Sequence, residues 1–487
     1  MAEKELAKIV GSRHVLVKPD ILEEYSADSS FVPPVRPRCV VRPENVAEVQ
    51  AIVKWANESR TPLVPVSSGG SHSRGDTIPS VDGVIIVDLS RMKKILRIDA
   101  RNKVAMVEPG VTFDELQAAL AKEGLGAYMP LAPRQSKSVI GSVLEREPII
   151  MPAHHWDSAD PLLCVEVVFG SGDRFRTGEA SGPDTIEEQW EMGRVQMNPF
   201  GHSHVDFHRL ITGAQGTIGI VTWATLKCCY LSRLSRALLV PSDKLETLID
   251  LVYQPLKFRL GGKLLILNGL NLAGLLGRNP REIRELKKAL PPWVLFISFE
   301  GYGVLPEEKV AYEEADFRAM AESCGLKPQS TISGVKAQDL AELLAHPSPE
   351  PYWKTRFEGD FQDIFFLATL DKTPVFTTAM TDLALRHGFP VGNLGVYIQP
   401  IVQGTSCHCE FNLYYNPTAA PETDSVKKLI RAGSEAIAEG GGFFSRPYAA
   451  WKDTAYRNAA GTADMQRKIK EIFDPNGILN PGKLCFI

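Results

Sequence analysis

A run of small residues, Pro65–Gly75, has the composition of a loop that holds an oxygen-rich ligand. It reads PVSSGGSHSRG, and eight of its eleven residues are Gly, Ser or Pro. Small side chains let backbone N–H groups converge on such a ligand, and glycine reaches the dihedral angles that this requires. We interpret the run as a loop that binds the pyrophosphate of a dinucleotide, although an ordinary turn would have the same composition.

A second candidate for chemistry is the segment CHCEFN, in which polar and apolar side chains alternate. In a strand, successive side chains point to opposite faces. One face would then carry His408, Glu410 and Asn412. The other would carry two cysteines and a phenylalanine and would pack on the core. A polar face of this kind suits the roof of a substrate cavity, and a solvated strand face is the alternative interpretation.

Overall composition excludes several classes of function. The chain has 487 residues, 44% of them hydrophobic and 23% charged, with a formal net charge of −4. This balance gives no electrostatic reason to expect nucleic acid as a partner. No apolar run reaches the roughly 18 residues that a membrane-spanning helix needs. The first ten residues lack the apolar core of a signal peptide, so a cytoplasmic location is expected.

The motifs of other enzyme classes are missing. No Gly-x-Gly-x-x-Gly follows a strand and opens a helix, and no Gly-x-x-x-x-Gly-Lys-Ser/Thr loop occurs, which disfavours a nicotinamide Rossmann unit and a P-loop. No Gly-x-Ser-x-Gly elbow supports hydrolysis. The eight cysteines form no Cys-x-x-Cys pair, and the histidines at 154–155 and 202–208 fit no specific ligand pattern. We therefore expect no bound metal.

The elements that must position these residues follow an α+β pattern. Segment 45–58 has apolar residues at helical spacing, and Thr112-Phe113-Asp114-Glu115 is a capping box that opens a helix. A buried strand is predicted at 162–169. Further helices are predicted at 306–324, 336–345 and 462–473. In the last of these, Met465, Ile469 and Ile472 share one face.

Four segments in a fixed order carry a family resemblance. They are the loop Pro65–Gly75, Val107–Thr112 (VEPGVT), Gly213–Thr222 (GAQGTIGIVT) and Phe473–Lys483 (FDPNGILNPGK). Together they resemble the FAD-linked oxidoreductases of the vanillyl-alcohol oxidase/4-cresol dehydrogenase type, a superfamily that also contains FAD-dependent D-lactate and glycolate dehydrogenases. The resemblance implies a PCMH-type FAD-binding domain built from both chain ends, with an α+β cap domain over the flavin. The expected limits are 1–228 and 440–487 for the FAD domain and 229–439 for the cap domain.

The resemblance also implies which positions contact FAD. The pyrophosphate would lie in the loop, and the flavin would pass beside residues 140–142. The implied cofactor-binding residues are Ser67, Ser68, Gly69, Gly70, Ser71, His72, Gly75, Pro130, Ile140, Gly141, Ser142, Gly213, Gly216, Gly219, Ile220, Val221, Asn480 and Lys483. Relatives that bond flavin to a loop histidine have Gly-Gly-His, whereas here Ser71 precedes His72, so we expect dissociable FAD. A covalent bond to a histidine or tyrosine of the middle domain is the alternative.

Catalytic positions are implied in the same way. Glu145 occupies the place of an acidic residue near the flavin, and Arg446 keeps the cation that binds a substrate phenolate. Two tyrosines expected in a phenol site are replaced by Ser445 and Arg74, and a second arginine suits a carboxylate or another anion. A surface arginine is the alternative interpretation of Arg74. His408 and Glu410 complete the candidate catalytic set. The tail motif Gly-Glu-His-Gly of the D-lactate branch is missing, which again predicts no metal.

The predicted function is FAD-dependent oxidation of a small organic substrate by hydride removal. An aromatic or benzylic alcohol or a phenol is the leading substrate class, and a D-2-hydroxy acid is the alternative. A third interpretation is a flavin-bearing subunit of an electron-transfer assembly. The sequence leaves open the electron acceptor (oxygen, a cytochrome or another redox protein), a homodimer, and whether the enzyme is an oxidase or a dehydrogenase.

Overall fold

The computed structural model describes residues 2–70, 72–151, 161–182, 184–202, 206–401, 406–448 and 450–486. The helices are α1 (Ala2–Val10), α2 (Pro19–Glu24), α3 (Val46–Ser59), α4 (Phe113–Lys122), α5 (Val139–Leu144), α6 (Ile186–Glu191), α7 (Phe207–Ile211), α8 (Leu245–Phe258), α9 (Gly269–Leu276), α10 (Pro280–Ala289), α11 (Pro306–Ser323), α12 (Ala337–Leu343), α13 (Thr373–Arg386), α14 (Ala420–Glu439), α15 (Lys452–Arg457) and α16 (Ala460–Phe473). The strands are β1 (Val15–Leu16), β2 (Cys39–Val41), β3 (Leu63–Val66), β4 (Ile85–Asp88), β5 (Ile95–Asp99), β6 (Val104–Val107), β7 (Leu125–Ala127), β8 (Leu162–Phe169), β9 (Arg174–Arg176), β10 (Gly219–Tyr230), β11 (Leu234–Ser242), β12 (Leu264–Asn268), β13 (Trp293–Gly301), β14 (Thr331–Ile332), β15 (Val335–Lys336), β16 (Asp360–Ala368), β17 (Leu394–Pro400) and β18 (Cys407–Tyr415).

Two sheets form the N-terminal part of the fold. A small sheet has the order β1-β2-β4-β3, with β2 and β3 parallel to β4. A second, antiparallel sheet has the order β5-β6-β10-β8-β9, and β7 pairs with β10. The capping box predicted at Thr112 is present, since its hydroxyl accepts from Glu115 N and the Glu115 carboxylate accepts from Thr112 N. This cap fixes where α4 begins and orders the loop before it.

A third sheet forms the middle of the chain. Its order is β11-β13-β12-β17-β18-β16, and all of its neighbouring strands run antiparallel. In β18 the predicted alternation is confirmed, because Cys407, Cys409 and Phe411 belong to the apolar core while His408 and Glu410 line a cavity on the other face. The sheet thereby presents a polar patch to the N-terminal part of the fold. The α+β class predicted from the sequence is confirmed.

The C-terminal segment returns to the first sheet. Leu63 N donates to Ile478 O at 2.7 Å, and Asn480 N donates to Leu63 O at 2.8 Å. Lys470 of α16 is buried, and its ammonium group donates to Thr217 O, Leu479 O and the Asp474 carboxylate at 2.5–2.7 Å. Both chain ends therefore contribute to one region.

The apolar residues that share one face of α16 are not its most buried residues. Met465 and Ile472 are 56% and 68% exposed, whereas Ala463 and Lys470 are buried. The lysine is drawn inward by backbone carbonyls and a carboxylate that belong to other segments, and helical periodicity contains no information about such partners. No helix in the described ranges has the length and apolarity to cross a membrane.

Candidate active site

Two connected cavities lie where the three parts of the chain meet. The large cavity has a volume of about 560 Å³ and lies under the third sheet. The narrow groove, of about 110 Å³, runs from the Gly/Ser loop past α5 to the start of β10. Both are lined by His72, Asp76, Glu145 and Arg446, so these four side chains mark the junction.

The narrow groove contains most of the small residues that the sequence predicts beside a dinucleotide. Its lining includes Ser67, Ser68, Gly141, Gly213, Gly216 and Gly219, and small side chains allow a ligand to approach the backbone closely. Gly216 has φ of +67° and packs so tightly on Pro65 that a Cβ atom would come within 2.5 Å of the ring. Asn480 spans the groove, donating to Asp76 O at 3.0 Å and Gln215 O at 2.7 Å, while its own side-chain oxygen has no partner in the described part of the chain. A ligand hydroxyl or amide would satisfy that oxygen.

An ion-pair cluster forms the floor of the junction. Arg74 contacts the carboxylates of Glu145 and Glu147, and Lys137 contacts the same two at 2.9 and 2.8 Å. The Arg74 side chain is only 19% exposed and its guanidinium lies 5.1 Å from the Phe365 ring centroid. Arg74 is therefore a paired arginine of the cavity, which excludes the surface interpretation.

A second polar cluster forms the roof. Lys354 Nζ lies 2.8 Å from Asp363 Oδ2 and 2.5 Å from Glu410 Oε1, and His408 Nε2 lies 3.0 Å from Glu410 Oε2. Burial alone would raise the pKa of Glu410, but Lys354 and the hydrogen bond from His408 outweigh burial and hold that pKa well below its usual range. Burial lowers the pKa of His408, so this imidazole is neutral. The roof thus combines a carboxylate anion with a neutral histidine.

Arg446 lies between floor and roof. The residue is 5% exposed, its guanidinium carbon sits 4.1 Å from the Phe365 ring centroid, and its Nη2 is 3.5 Å from His408 Nδ1. Its Nη1 is buried and has no hydrogen-bond partner among the described residues. Burial and the nearby Arg74 lower the pKa of Arg446, yet a guanidinium stays protonated in proteins. A cation with an unsatisfied donor therefore faces the junction.

The structure brings most of the predicted site residues together. All four candidate catalytic residues, Glu145, His408, Glu410 and Arg446, line the large cavity. The predicted cofactor positions that line the narrow groove are Ser67, Ser68, His72, Ile140, Gly141, Gly213, Gly216, Gly219, Ile220, Val221 and Asn480. Gly70 and Pro130 line the large cavity instead.

Four predicted cofactor positions line neither cavity: Gly69, Gly75, Ser142 and Lys483. Ser142 Oγ donates to Glu147 Oε2 at 2.6 Å. Lys483 Nζ donates to Gly75 O at 2.8 Å and to Ile78 O at 2.7 Å, which holds the loop. Ser71 lies outside the described residues.

Sequence reasoning missed Lys354 and Asp363. Lys354 follows a proline-rich joint and belongs to no motif. Asp363 interrupts the apolar run of β16, and this was the available signal, because an acidic residue in a buried strand requires a partner. Its register opposite Asn412 of β18 places it beside the predicted polar face.

Asp76 gives the site a pH-dependent stability. Burial and the neighbouring Glu145 raise the pKa of Asp76 to about 6, from 3.8. Between pH 3.8 and about 6 the unfolded chain has released this proton while the folded chain still retains it. The free energy of unfolding therefore falls progressively as the pH rises from 3.8 through 6. We expect Asp76→Asn to increase the free energy of unfolding by about 3 kcal/mol at pH 8 relative to the unsubstituted protein, and by about zero at pH 3.5.

Urea unfolding of the two proteins across this pH range measures the effect. Asp82→Asn is the matched control, since Asp82 is exposed and lines neither cavity. A constant difference between the Asp76→Asn and unsubstituted proteins at all pH values would contradict the assignment.

Comparisons with known proteins agree with this geometry. Residues 37–178 match the FAD binding domain family, and residues 407–484 match the C-terminal domain of FAD linked oxidases. The D-2-hydroxyglutarate dehydrogenase of Stutzerimonas stutzeri (strain A1501) is 24% identical over 503 residues, which cover 99% of this chain and 98% of that protein. The flavoprotein subunit of 4-cresol dehydrogenase (hydroxylating) from Pseudomonas putida is 30% identical over 206 residues, or 41% of this chain and 38% of that protein.

Among solved structures, p-cresol methylhydroxylase with substrate bound superposes with a TM-score of 0.84. The match has 20% sequence identity and covers 100% of this chain and 96% of that one. The fold is thus that of the PCMH-type FAD oxidases. The chain contains an FAD binding domain and the C-terminal domain of FAD linked oxidases, it is an enzyme, and its cofactor is FAD.

Proposed function

We propose that this FAD-dependent oxidoreductase acts on a small aromatic or benzylic alcohol or a phenol. The observation that carries the proposal is the buried Nη1 of Arg446, a charged donor without a partner among the described residues at the junction of the two cavities. Such a donor stabilises an oxygen that is, or becomes, negatively charged. Bound FAD supplies a two-electron acceptor for hydride.

The aromatic lining of the large cavity favours a ring. Aromatic side chains lie beside the charged roof cluster, namely Tyr352, Trp353, Phe361 and Tyr397, and the Lys354 ammonium is 5.1 Å from the Phe361 ring centroid. Apolar walls with a few convergent polar groups are typical of small-molecule sites. A flat substrate could pack on these rings while its oxygen contacts Arg446.

We further propose that the narrow groove holds FAD through the residues that line it, with Glu145 at the flavin end. In this arrangement Glu145 accepts hydrogen bonds from Arg74 and Lys137 beside the substrate. The FAD domain would comprise residues 1–228 and 440–487, and residues 229–439 would form the cap domain.

A D-2-hydroxy acid is the second candidate substrate. Arg446 suits a carboxylate as well as a phenolate, and the D-2-hydroxyglutarate dehydrogenase relative matches over nearly the whole chain. The tyrosines of the phenol-type pattern are replaced here by Arg74 and Ser445.

An anaerobic substrate panel separates these proposals. FAD-loaded protein is mixed with 4-alkylphenols, benzylic alcohols and D-2-hydroxy acids, and the loss of flavin absorbance is followed in a stopped-flow instrument. We expect the aromatic compounds to reduce the flavin, whereas the L-2-hydroxy acids serve as controls that leave it oxidised. Reduction by D-2-hydroxy acids alone would reverse the order of the two proposals. Reduction only in the presence of a partner redox protein would favour the electron-transfer subunit.

A further inference from the structure

A buried chain of polar contacts connects Lys354 to Arg446. Lys354 contacts Glu410, Glu410 contacts His408, and His408 contacts Arg446. The four residues come from three separate segments: the turn before β16, strand β18, and the segment after α14. All four are less than a tenth exposed. This series of contacts connects Lys354, at the far side of the roof, to the junction of the large cavity with the narrow groove.

The two oxygens of Glu410 have different partners. Oε1 accepts from Lys354 Nζ at 2.5 Å and from Asn412 Nδ2 at 2.6 Å, whereas Oε2 faces His408 Nε2 at 3.0 Å. A buried carboxylate stays ionised only when a cation and hydrogen bonds compensate for its lost hydration. Because Lys354 and Asn412 hold Oε1, the carboxylate cannot rotate away, and Oε2 remains aimed at the imidazole.

Neighbouring amides fix this arrangement further. Asn412 Nδ2 also contacts Asp363 Oδ1 at 2.5 Å, and Asn412 Oδ1 accepts from Asn271 Nδ2 at 2.6 Å. Asn271 Oδ1 in turn accepts from the Tyr414 hydroxyl at 2.8 Å. Each amide has one orientation that satisfies its partners, so the network has a single arrangement.

Two independent contacts select one tautomer of His408. The ionised Glu410 can only accept, so His408 Nε2 must carry the proton. The guanidinium of Arg446 can only donate, so His408 Nδ1, 3.5 Å from Arg446 Nη2, must be the unprotonated nitrogen. A neutral imidazole with its basic nitrogen beside an unsatisfied cationic donor forms a binding site for a hydroxyl group.

We propose that Lys354 is a positioning residue that acts through Glu410 to keep His408 Nδ1 unprotonated, so that this nitrogen can exchange its 3.5 Å contact with Arg446 Nη2 for the proton of a substrate hydroxyl group. This inference rests on the proposed oxidation of an alcohol. The hydroxyl proton passes to His408 Nδ1, and FAD, when bound, would supply the acceptor for the hydride of the carbinol carbon. The carbinol becomes a carbonyl compound, and Arg446 Nη1 stabilises the oxygen while it is negatively charged.

The tautomer can be observed directly in the unsubstituted enzyme. In FAD-loaded protein labelled with ¹⁵N-histidine, two-dimensional NMR distinguishes a protonated from an unprotonated ring nitrogen. We expect His408, assigned by the loss of its signals in His408→Gln, to show a protonated Nε2 and an unprotonated Nδ1 at pH 7.5. The opposite tautomer, or an imidazolium, would overturn the proposal without any measurement of activity.

Variants test the role of Lys354. We expect Lys354→Met to populate both tautomers and to lower kcat/KM about 10–100-fold, as loss of a supporting partner typically does. Lys354→Arg, which keeps the cation, should restore the single tautomer. Lys263→Met is the matched control, because Lys263 forms a similarly buried pair with Glu300 at 2.8 Å and lines neither cavity. If Lys354→Met leaves both the His408 tautomer and kcat/KM unchanged, Lys354 does not have the proposed role.

The pH profile gives a readout that a merely structural role would not change. The base must be neutral, so kcat/KM falls below the pKa of His408. The groups that face this imidazole are Glu410, which raises its pKa, and Arg446 and Lys354, which lower it. Glu410→Gln should therefore move the acidic limb to lower pH, and an unmoved limb would contradict the proposal. If no alcohol reduces the flavin, the proposed function fails, whereas the NMR result still decides whether Lys354 fixes the tautomer.

Discussion

Replacing Arg446 by methionine is expected to slow flavin reduction by substrate about 10²–10³-fold, as removal of one donor to a developing oxyanion does in other enzymes. Arg446 Nη1 is buried and has no partner among the described residues, so its hydrogen-bonding capacity is available to a substrate. Methionine preserves the apolar contact with Phe365 but removes the charge. The measurement is the limiting rate of flavin bleaching in anaerobic stopped-flow experiments with the best substrate of the panel.

Two further variants separate charge from geometry in this experiment. Arg446→Lys retains the cation without the planar fork and should recover only part of the rate. Arg91→Met is the control, since Arg91 is an arginine with a side chain only 20% exposed that lines neither cavity. Unchanged bleaching in Arg446→Met, with FAD still bound, would show that the substrate oxygen binds elsewhere.

Replacing Lys470 by methionine should destabilise the protein by about 3–5 kcal/mol, because it leaves the buried carboxylate of Asp474 without its cation. Asp474 is 2% exposed, and it also accepts from Ile478 N at 3.0 Å and Leu479 N at 2.8 Å. Lys470 additionally caps Thr217 O beside the narrow groove. We therefore expect weaker FAD retention together with a lower free energy of unfolding, both measured during urea titration by protein and flavin fluorescence.

Lys468→Met is the matched control, because Lys468 lies on the same helix and is exposed. It should leave both quantities within about 0.5 kcal/mol of the unsubstituted protein. Equal stabilities of the two variants would mean that the ammonium of Lys470 contributes no net stabilisation.

Local signals in the sequence predicted much of the fold. The capping box at Thr112 depends on residues three apart, and the alternation in β18 depends on neighbours, so both are readable without tertiary information. Three of the four segments that carry the family resemblance lie within the two family matches, whereas Gly213–Thr222 lies between them. Such patterns can be read from the sequence because each of them depends on a short stretch of the chain alone.

Contacts between residues that are far apart in the sequence could not be predicted from such local patterns. Lys354 and Glu410 are 56 residues apart, and only the pairing of β16 with β18 shows that a lysine from the preceding turn reaches that carboxylate. The sequence slightly favours a surface position for Arg74, whereas in the structure Arg74 pairs with Glu145 and Glu147, which are 71 and 73 residues away in the sequence. The role of a charged residue depends on its neighbours in space, and the periodicity of the local sequence does not specify them.

The hydrogen bonds that Asn480 makes across the narrow groove imply an order of events during biosynthesis. Its amide donates to backbone carbonyls 404 and 265 positions earlier, so the nascent polypeptide lacks one wall of the narrow groove, which we propose holds FAD, until this asparagine has been translated. Most of the remaining wall comes from the N-terminal half of the chain, and the groove is open on one side until Asn480 has been added. Capture of the flavin nucleotide should therefore follow translation of this segment, and apoprotein, rather than a partly loaded ribosome-bound chain, would be the species that meets it in the cell.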